Sequence, residues 1–176
     1  DVAAGEHSNV GTLSYMGDSW SKPTLAYVNF GGEKKLVMFV GGGYDEGYEA
    51  PDYNPTTATK GNGIYMFDAN NGKLLWWTGA NATTKGGAEA YTTSTDMQYS
   101  VVSQINAIDR DNDGLVDNLY FGDLGGQAFR VDLNNAVPGT GADADTKQES
   151  QKANFATRVV RLTSRHAGGA SPRFYE

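Results

Sequence analysis

Two neighbouring stretches of the chain are apolar at nearly every position instead of every second one. Ile64-Tyr65-Met66-Phe67-Asp68 and Lys73-Leu74-Leu75-Trp76-Trp77 flank Ala69-Asn70-Asn71-Gly72. The Asn-Gly pair supplies the positive φ of a tight antiparallel turn, so the segment predicts a β-hairpin. Successive side chains of a strand point to opposite faces, which sets Ile64 and Met66 on one side and Tyr65 and Phe67 on the other. A one-sided sheet in water would not tolerate this, and both faces are expected to be covered. A second hairpin is predicted by Asn118-Leu119-Tyr120-Phe121-Gly122, the turn Asp123-Leu124-Gly125-Gly126, and Gln127-Ala128-Phe129-Arg130-Val131-Asp132, with the same mixed faces. No stretch of fifteen residues keeps an apolar stripe at helical spacing without a glycine interruption, and the chain reads as all-β.

The two regions repeat one another. Ser21-Lys22-Pro23-Thr24-Leu25-Ala26 aligns with Ser103-Gln104-Ile105-Asn106-Ala107-Ile108 at an offset of 82, Met38-Phe39-Val40-Gly41 with Leu119-Tyr120-Phe121-Gly122 at 81, and Ile64 to Asp68 with Ala128 to Asp132 at 64. The shortfall is the loop from Gly42 to Asn62 in the first copy. The second copy regains its length in the polar stretch 134–155, which reads as a loop insertion on its Pro138, Gly139 and Gly141, before a fourth strand around Ala156 to Leu162. Four-stranded antiparallel sheets, apolar on both faces and repeated along a chain, are how propeller blades read, because each blade is sandwiched by its neighbours. The blade-like units span about 19–80 and 100–163.

Two blades cannot close a ring, for which about four to eight are typical. Ala170-Ser171-Pro172-Arg173-Phe174-Tyr175 resembles the opening Trp20-Ser21-Lys22-Pro23, so 170–176 reads as the start of a third unit. The expected fold is therefore an incomplete β-propeller, with the chain part of one larger propeller domain. Asp1-Val2-Ala3-Ala4 shows no basic or apolar leader, which fits a processed or internal piece.

Composition narrows the function. The chain has 176 residues with 23 Gly, 10 Tyr, 7 Phe and 3 Trp, and its net charge of −7 argues against a phosphate-binding surface and hence nucleic acid. It has no cysteine, which excludes disulfides, Cys-ligated zinc, iron–sulfur clusters and thiol catalysis while leaving the compartment open. The longest apolar run, Leu36 to Val40, is far short of the ~20 residues of a membrane helix, so no span is expected.

The strongest chemical motif lies between the first two strands of the second copy: Asp109-Arg110-Asp111-Asn112-Asp113-Gly114-Leu115-Val116-Asp117. Carboxylates at positions 1, 3 and 5 of a tight loop point to one centre, and hard cations take oxygen ligands at about 2.3–2.6 Å. Calcium fits best, with Asp109, Asp111, Asp113 and Asp117 as side-chain ligands, Leu115 as a carbonyl ligand, and Gly114 at the sharp turn. An EF-hand would place Glu at position 12, where this chain has Tyr120. The bland alternatives are an Asx-bonded surface turn and an ion that only staples the blade.

Other motifs add little. Ser19-Trp20-Ser21-Lys22 has the S-x-x-K form without its partner motifs, and His7 and His166, the two histidines, have no metal-ligand spacing. No catalytic set emerges, and the chain reads as a non-enzyme. Asn81-Ala82-Thr83 is a glycosylation sequon by form. Arg158, Arg161, Arg165 and Arg173 read as a solvated basic strand end, and the tyrosine-rich loop from Tyr44 to Tyr53 as a binding surface or a self-packed blade edge.

Trp20-Ser21-Lys22-Pro23, Phe39-Val40-Gly41-Gly42-Gly43-Tyr44, Gly63 to Asp68 with Gly72-Lys73-Leu74, the loop 109–117 and Tyr120 to Leu133 together resemble the C-terminal propeller of the PilY/PilC family of type IV pilus tip-associated adhesins. The most specific part is the acidic loop followed by Gly122-Asp123-Leu124-Gly125-Gly126. The resemblance implies an extracellular, cell-surface protein at the pilus of a Gram-negative bacterium, with calcium binding that influences pilus extension and retraction. It also implies roles in twitching motility and surface attachment, with pilin subunits and host or abiotic surfaces as partners. Two alternatives stand beside it. Asp68 to Trp76 is similar to the blade-docking motif of quinoprotein (PQQ-dependent) dehydrogenases, with Asn71 where Thr is usual and without that family's vicinal cysteines. The acidic loop also resembles those of integrin-type propellers, which would make the chain a general calcium-binding interaction module.

Overall fold

The structure, a computed structural model, describes residues 10–49 and 60–165. Strands β1 (Thr24–Phe30), β2 (Glu33–Gly41), β3 (Gly63–Asp68), β4 (Leu74–Gly79) and β5 (Ala90–Thr93) form one sheet in chain order. Its first four strands are an antiparallel meander, and β5 is added parallel to β4. Strands β6 (Asn106–Ile108), β7 (Asn118–Gly122), β8 (Gln127–Leu133) and β9 (Ala156–Ser164) form a second, wholly antiparallel meander. Both hairpins read from the sequence are present, and the protein is mostly β-sheet. The parallel strand β5, which follows Gly86 and Gly87, is not among the strands expected from the sequence.

The two meanders share one register. Thr24 lies opposite Phe39 as Asn106 lies opposite Tyr120, Val37 opposite Asp68 as Asn118 opposite Asp132, and Val40 opposite Tyr65 as Phe121 opposite Phe129. These pairs are related by the same offsets, 82, 81 and 64, that align the sequences.

Val37, Phe39, Ile64, Met66 and Trp76 of the first sheet join Leu119, Phe121, Phe129 and Val131 of the second in a single core. Phe155 closes this core edge-on, its ring 5.3 Å from that of Phe30 and 5.5 Å from that of Trp76. On the other side of the first sheet, Tyr65, Leu74 and Trp77 cluster with Ala82 and Ala88 under Met16, and Tyr15 stacks on Trp77 at 6.0 Å. Both faces of β3 and β4 are therefore covered, as their unbroken apolar runs require, while Leu25 and Tyr27 of the edge strand β1 stay exposed.

The second sheet departs from that expectation. Leu119, Phe121, Phe129 and Val131 are buried, while Asn118, Tyr120, Arg130 and Asp132 alternate with them on an open polar face. Under the repeat, Tyr120 and Arg130 of this open face correspond to Phe39 and Met66, which the first sheet turns into the shared core. The sheets thus stack front to back, equivalent faces pointing the same way.

The stretch 134–155, expected as a loop insertion, contains helix α2 (Ala144–Ala153), which follows the short α1 (Val10–Leu13) in chain order. Its Lys, Gln, Glu and Ala residues are good helix formers, but it has no apolar stripe, so a search for helical periodicity passes over it. A buried amide and an ion pair anchor it instead. The Gln151 side chain donates to the carbonyls of Asn29 (3.1 Å) and Asn134 (2.6 Å) and accepts from the Gly31 N–H (2.6 Å), while Lys152 pairs with Glu89 at 2.8 Å. Gln151→Leu would leave these buried backbone groups without partners and is expected to cost about 2 kcal/mol. Urea unfolding should show a lower midpoint at unchanged slope.

Of the other sequence features, Tyr53, Arg173, the two histidines and the third unit at 170–176 lie outside the described residues.

Candidate metal centre

Residues 109–117 bridge β6 and β7, and the Asp117 N–H donates to the Ile108 carbonyl at 2.9 Å, so the loop leaves and rejoins the sheet at one point. Inside it the carboxylates hold the backbone. Asp109 accepts from the N–H groups of Asn112 (2.6 Å) and Gly114 (2.8 Å), Asp111 from Asp113 (3.3 Å), and Asp117 from Arg110 (2.7 Å). This winding requires Asn112 and Gly114 at φ values of 63° and 83°. Glycine adopts that conformation freely and asparagine tolerates it better than most residues.

The loop draws three of the four expected carboxylates together: Asp109, Asp111 and Asp117 each offer an oxygen within 4.8 Å of the others. Asp113 is not in that set, and its carboxylate accepts from the Leu115 N–H at 2.8 Å. Like charges at this separation repel by about 1 kcal/mol per pair even in bulk water, and a bound cation would remove that repulsion. An all-oxygen donor set suits hard ions such as calcium and magnesium.

The loop is also seated on the first sheet. Val116 is buried, its N–H donates to the Tyr27 carbonyl (2.8 Å), and its own carbonyl accepts from the Asn135 amide (2.8 Å). The Asn135 oxygen in turn accepts from the Asn29 N–H at 3.0 Å. Acidic residues on the second sheet are thus tied to β1 on the first through one buried valine.

Asp117 also lines a cleft of about 330 Å³ on the open face of the second sheet, together with Arg110, Asn118, Tyr120, Arg130, Asp132 and Arg158. Asp132 lies between Arg130 Nε (2.7 Å) and Arg158 Nη2 (2.7 Å), and accepts from the Asn118 amide (2.8 Å). Burial pushes the Asp132 carboxyl up, but the hydrogen bonds and charges of Arg158 and Arg130 outweigh it and hold the group below its ordinary value. Sequence reading treated Arg158 as part of a solvated strand end and passed over Arg130. The available signal was the i, i+2 spacing of Arg130 and Asp132, which places both on one face of β8.

Asp123, in the turn between β7 and β8, was missed as well. It is 1% exposed, and burial pushes its carboxyl up to about 7 although it accepts from the Gln127 N–H at 2.9 Å. Compared with protein-family models, curated proteins and solved structures, the chain has no match.

Proposed function

We propose that the chain is a calcium-binding, non-enzymatic segment of a β-propeller in a pilus-tip protein of the PilY/PilC kind. The observation that carries the calcium reading is the convergence of Asp109, Asp111 and Asp117 where β6 gives way to β7. Two meanders of one register, stacked front to back, favour the propeller over a symmetric sandwich, since each blade of a propeller presents its front to the back of the next. The pilus assignment, with its extracellular location and pilin or surface partners, rests on the resemblance of the acidic loop and the Gly122 to Gly126 turn.

In this reading Asp109, Asp111 and Asp117 hold the ion, and Asp113 and the Leu115 carbonyl lie in the same loop to complete the shell. The cation supplies positive charge that offsets the crowded carboxylates and so favours the ordered loop. Because Val116 hangs from the loop onto Tyr27, ordering it also steadies the contact between the sheets. Calcium is preferred over magnesium, whose octahedral demand suits a flexible carboxylate loop poorly.

Isothermal titration of the parent is expected to show calcium binding somewhere within the ~10⁻⁷ to ~10⁻³ M range of such loops. Asp117→Ala and Asp109→Ala should each weaken it by about tenfold or more, since each removes a charged ligand. Equal calcium affinity in parent and variants would rule the site out. Twitching and surface piliation of a strain carrying Asp117→Ala, compared with its parent, test the pilus role separately.

A further inference from the structure

We propose that Asn71 is a site of spontaneous deamidation, a modification that turns its side-chain amide into a carboxylate, and that the fold protects the same dipeptide at Asn62-Gly63. Asn-Gly occurs twice in the chain, at 62–63 and at 71–72. The reaction needs the nitrogen of the following residue to reach the asparagine side-chain carbonyl carbon, and glycine, with no Cβ, obstructs that approach least. As dipeptides the two pairs are equal. Their surroundings separate them.

At the β3–β4 turn Asn70, Asn71, Gly72 and Lys73 are all exposed, and open space surrounds the place where a Cβ on Gly72 would stand. The Asn71 side-chain oxygen accepts from the Lys73 N–H at 2.9 Å. That bond folds the carboxamide back along the Asn71–Gly72 peptide, and it sets a donor where negative charge develops on the oxygen during attack. The Gly72 N–H donates to the Asp68 carbonyl at 2.8 Å, and this bond must be given up. At an exposed turn tip it opens without disturbing the packed side chains of the strands.

Asn62 is held on every side. It is 6% exposed, and its side-chain oxygen accepts from the Asn81 amide at 3.3 Å. Gly63 begins β3 opposite Gly79, its N–H donates to the Gly61 carbonyl at 2.9 Å, and a Cβ on it would lie 2.6 Å from the Thr78 carbonyl oxygen. The Asn62 carbonyl oxygen is set as tightly, 2.5 Å from where a Cβ on Gly79 would stand. Closing a ring at 62–63 therefore requires β3 and β4 to part, whereas 71–72 needs only its turn to open.

The chemistry at 71 balances with water as the one co-reactant. The Gly72 nitrogen loses its proton to solvent as it bonds to Asn71 Cγ. The Cγ–Nδ2 bond then breaks, and Nδ2 takes up a proton and leaves as ammonia, which completes a five-membered succinimide. Water opens the ring at either carbonyl to give aspartate or isoaspartate, with no change of oxidation state. Both products add a negative charge to the turn that holds Asp68. Isoaspartate also lengthens the main chain by one methylene, inside the turn closed by the Asp68 N–H and the Lys73 carbonyl.

The test incubates the full chain in mildly alkaline buffer, folded and, in parallel, unfolded in guanidinium chloride. Tandem mass spectrometry reads each asparagine for the mass gain of an amide turned acid. In the folded chain, conversion at 71 is expected to run about tenfold or more ahead of conversion at 62, because 62 waits on local unfolding. In guanidinium chloride the two rates should converge. Equal conversion at 62 and 71 in the folded chain, a gap that persists in the unfolded chain, or conversion at 71 in the unfolded chain alone would overturn the proposal.

Discussion

Trp76→Ala is expected to destabilise the protein by about 3–5 kcal/mol, the range for emptying a buried tryptophan site. Trp76 is fully buried between the two sheets, its ring 5.5 Å from that of Phe155, and its Nε1–H donates to the Thr92 hydroxyl at 3.1 Å, which ties β4 to β5. The cavity would lie between two hydrogen-bonded sheets whose ladders resist collapse, so relaxation should recover little of the loss. Against the 5–15 kcal/mol of a typical domain, this is a large fraction of the total. Trp20→Ala provides the comparison: Trp20 is 76% exposed, and its loss should stay within about 0.5 kcal/mol. Urea unfolding followed by circular dichroism measures both. A Trp76→Ala cost below about 1 kcal/mol would mean that the sheets do not share a core.

Stability is expected to fall as pH rises through neutrality, because of Asp123. Its carboxyl is raised from an ordinary 3.8 to about 7, chiefly by burial, with the N–H groups of Gln127 and Gly125 and the Arg161 charge opposing the rise. Also around it are the Tyr99 ring and the Gln127 amide, which, oriented to satisfy both its ends, donates to Asp123 and accepts from Arg161. Between these two pKa values the folded state holds a proton that the unfolded chain releases. The stabilisation is complete below about pH 4 and lost as pH rises through about 7. A gap of about three pKa units corresponds to roughly 4 kcal/mol at most. Glu89 and Asp132 act oppositely: in each, burial raises the pKa but paired cations lower it further, so their stabilisation is lost under acid conditions. The optimum should therefore be mildly acidic. Asp123→Asn keeps an oxygen acceptor for the Gln127 N–H and removes the ionisation, so it should flatten the curve between pH 5 and 8 and be more stable than the parent at pH 8. Parallel pH profiles in the two proteins would defeat the assignment.

What could be read along the chain was what a few adjacent residues decide. Asn71-Gly72 demands a turn, unbroken apolar strands demand two covered faces, and an Asp-rich run around Gly114 demands a tight acidic loop; each is set by φ, ψ and side-chain alternation within about ten residues. The repeat was legible for the same reason, since each copy writes its local pattern again. Tertiary structure decided everything that depends on which surfaces meet. It put Asp109, Asp111 and Asp117 together with Asp113 aside, hung Val116 on Tyr27, and buried Asp123. It also held an unstriped helix by Gln151 against residues more than a hundred positions away, and left Tyr120 and Arg130 facing outward where their counterparts Phe39 and Met66 face in. The physical reason is that burial and charge pairing are properties of the assembled surfaces. A strand's pattern says that it has two faces, but only packing says which of them meets water.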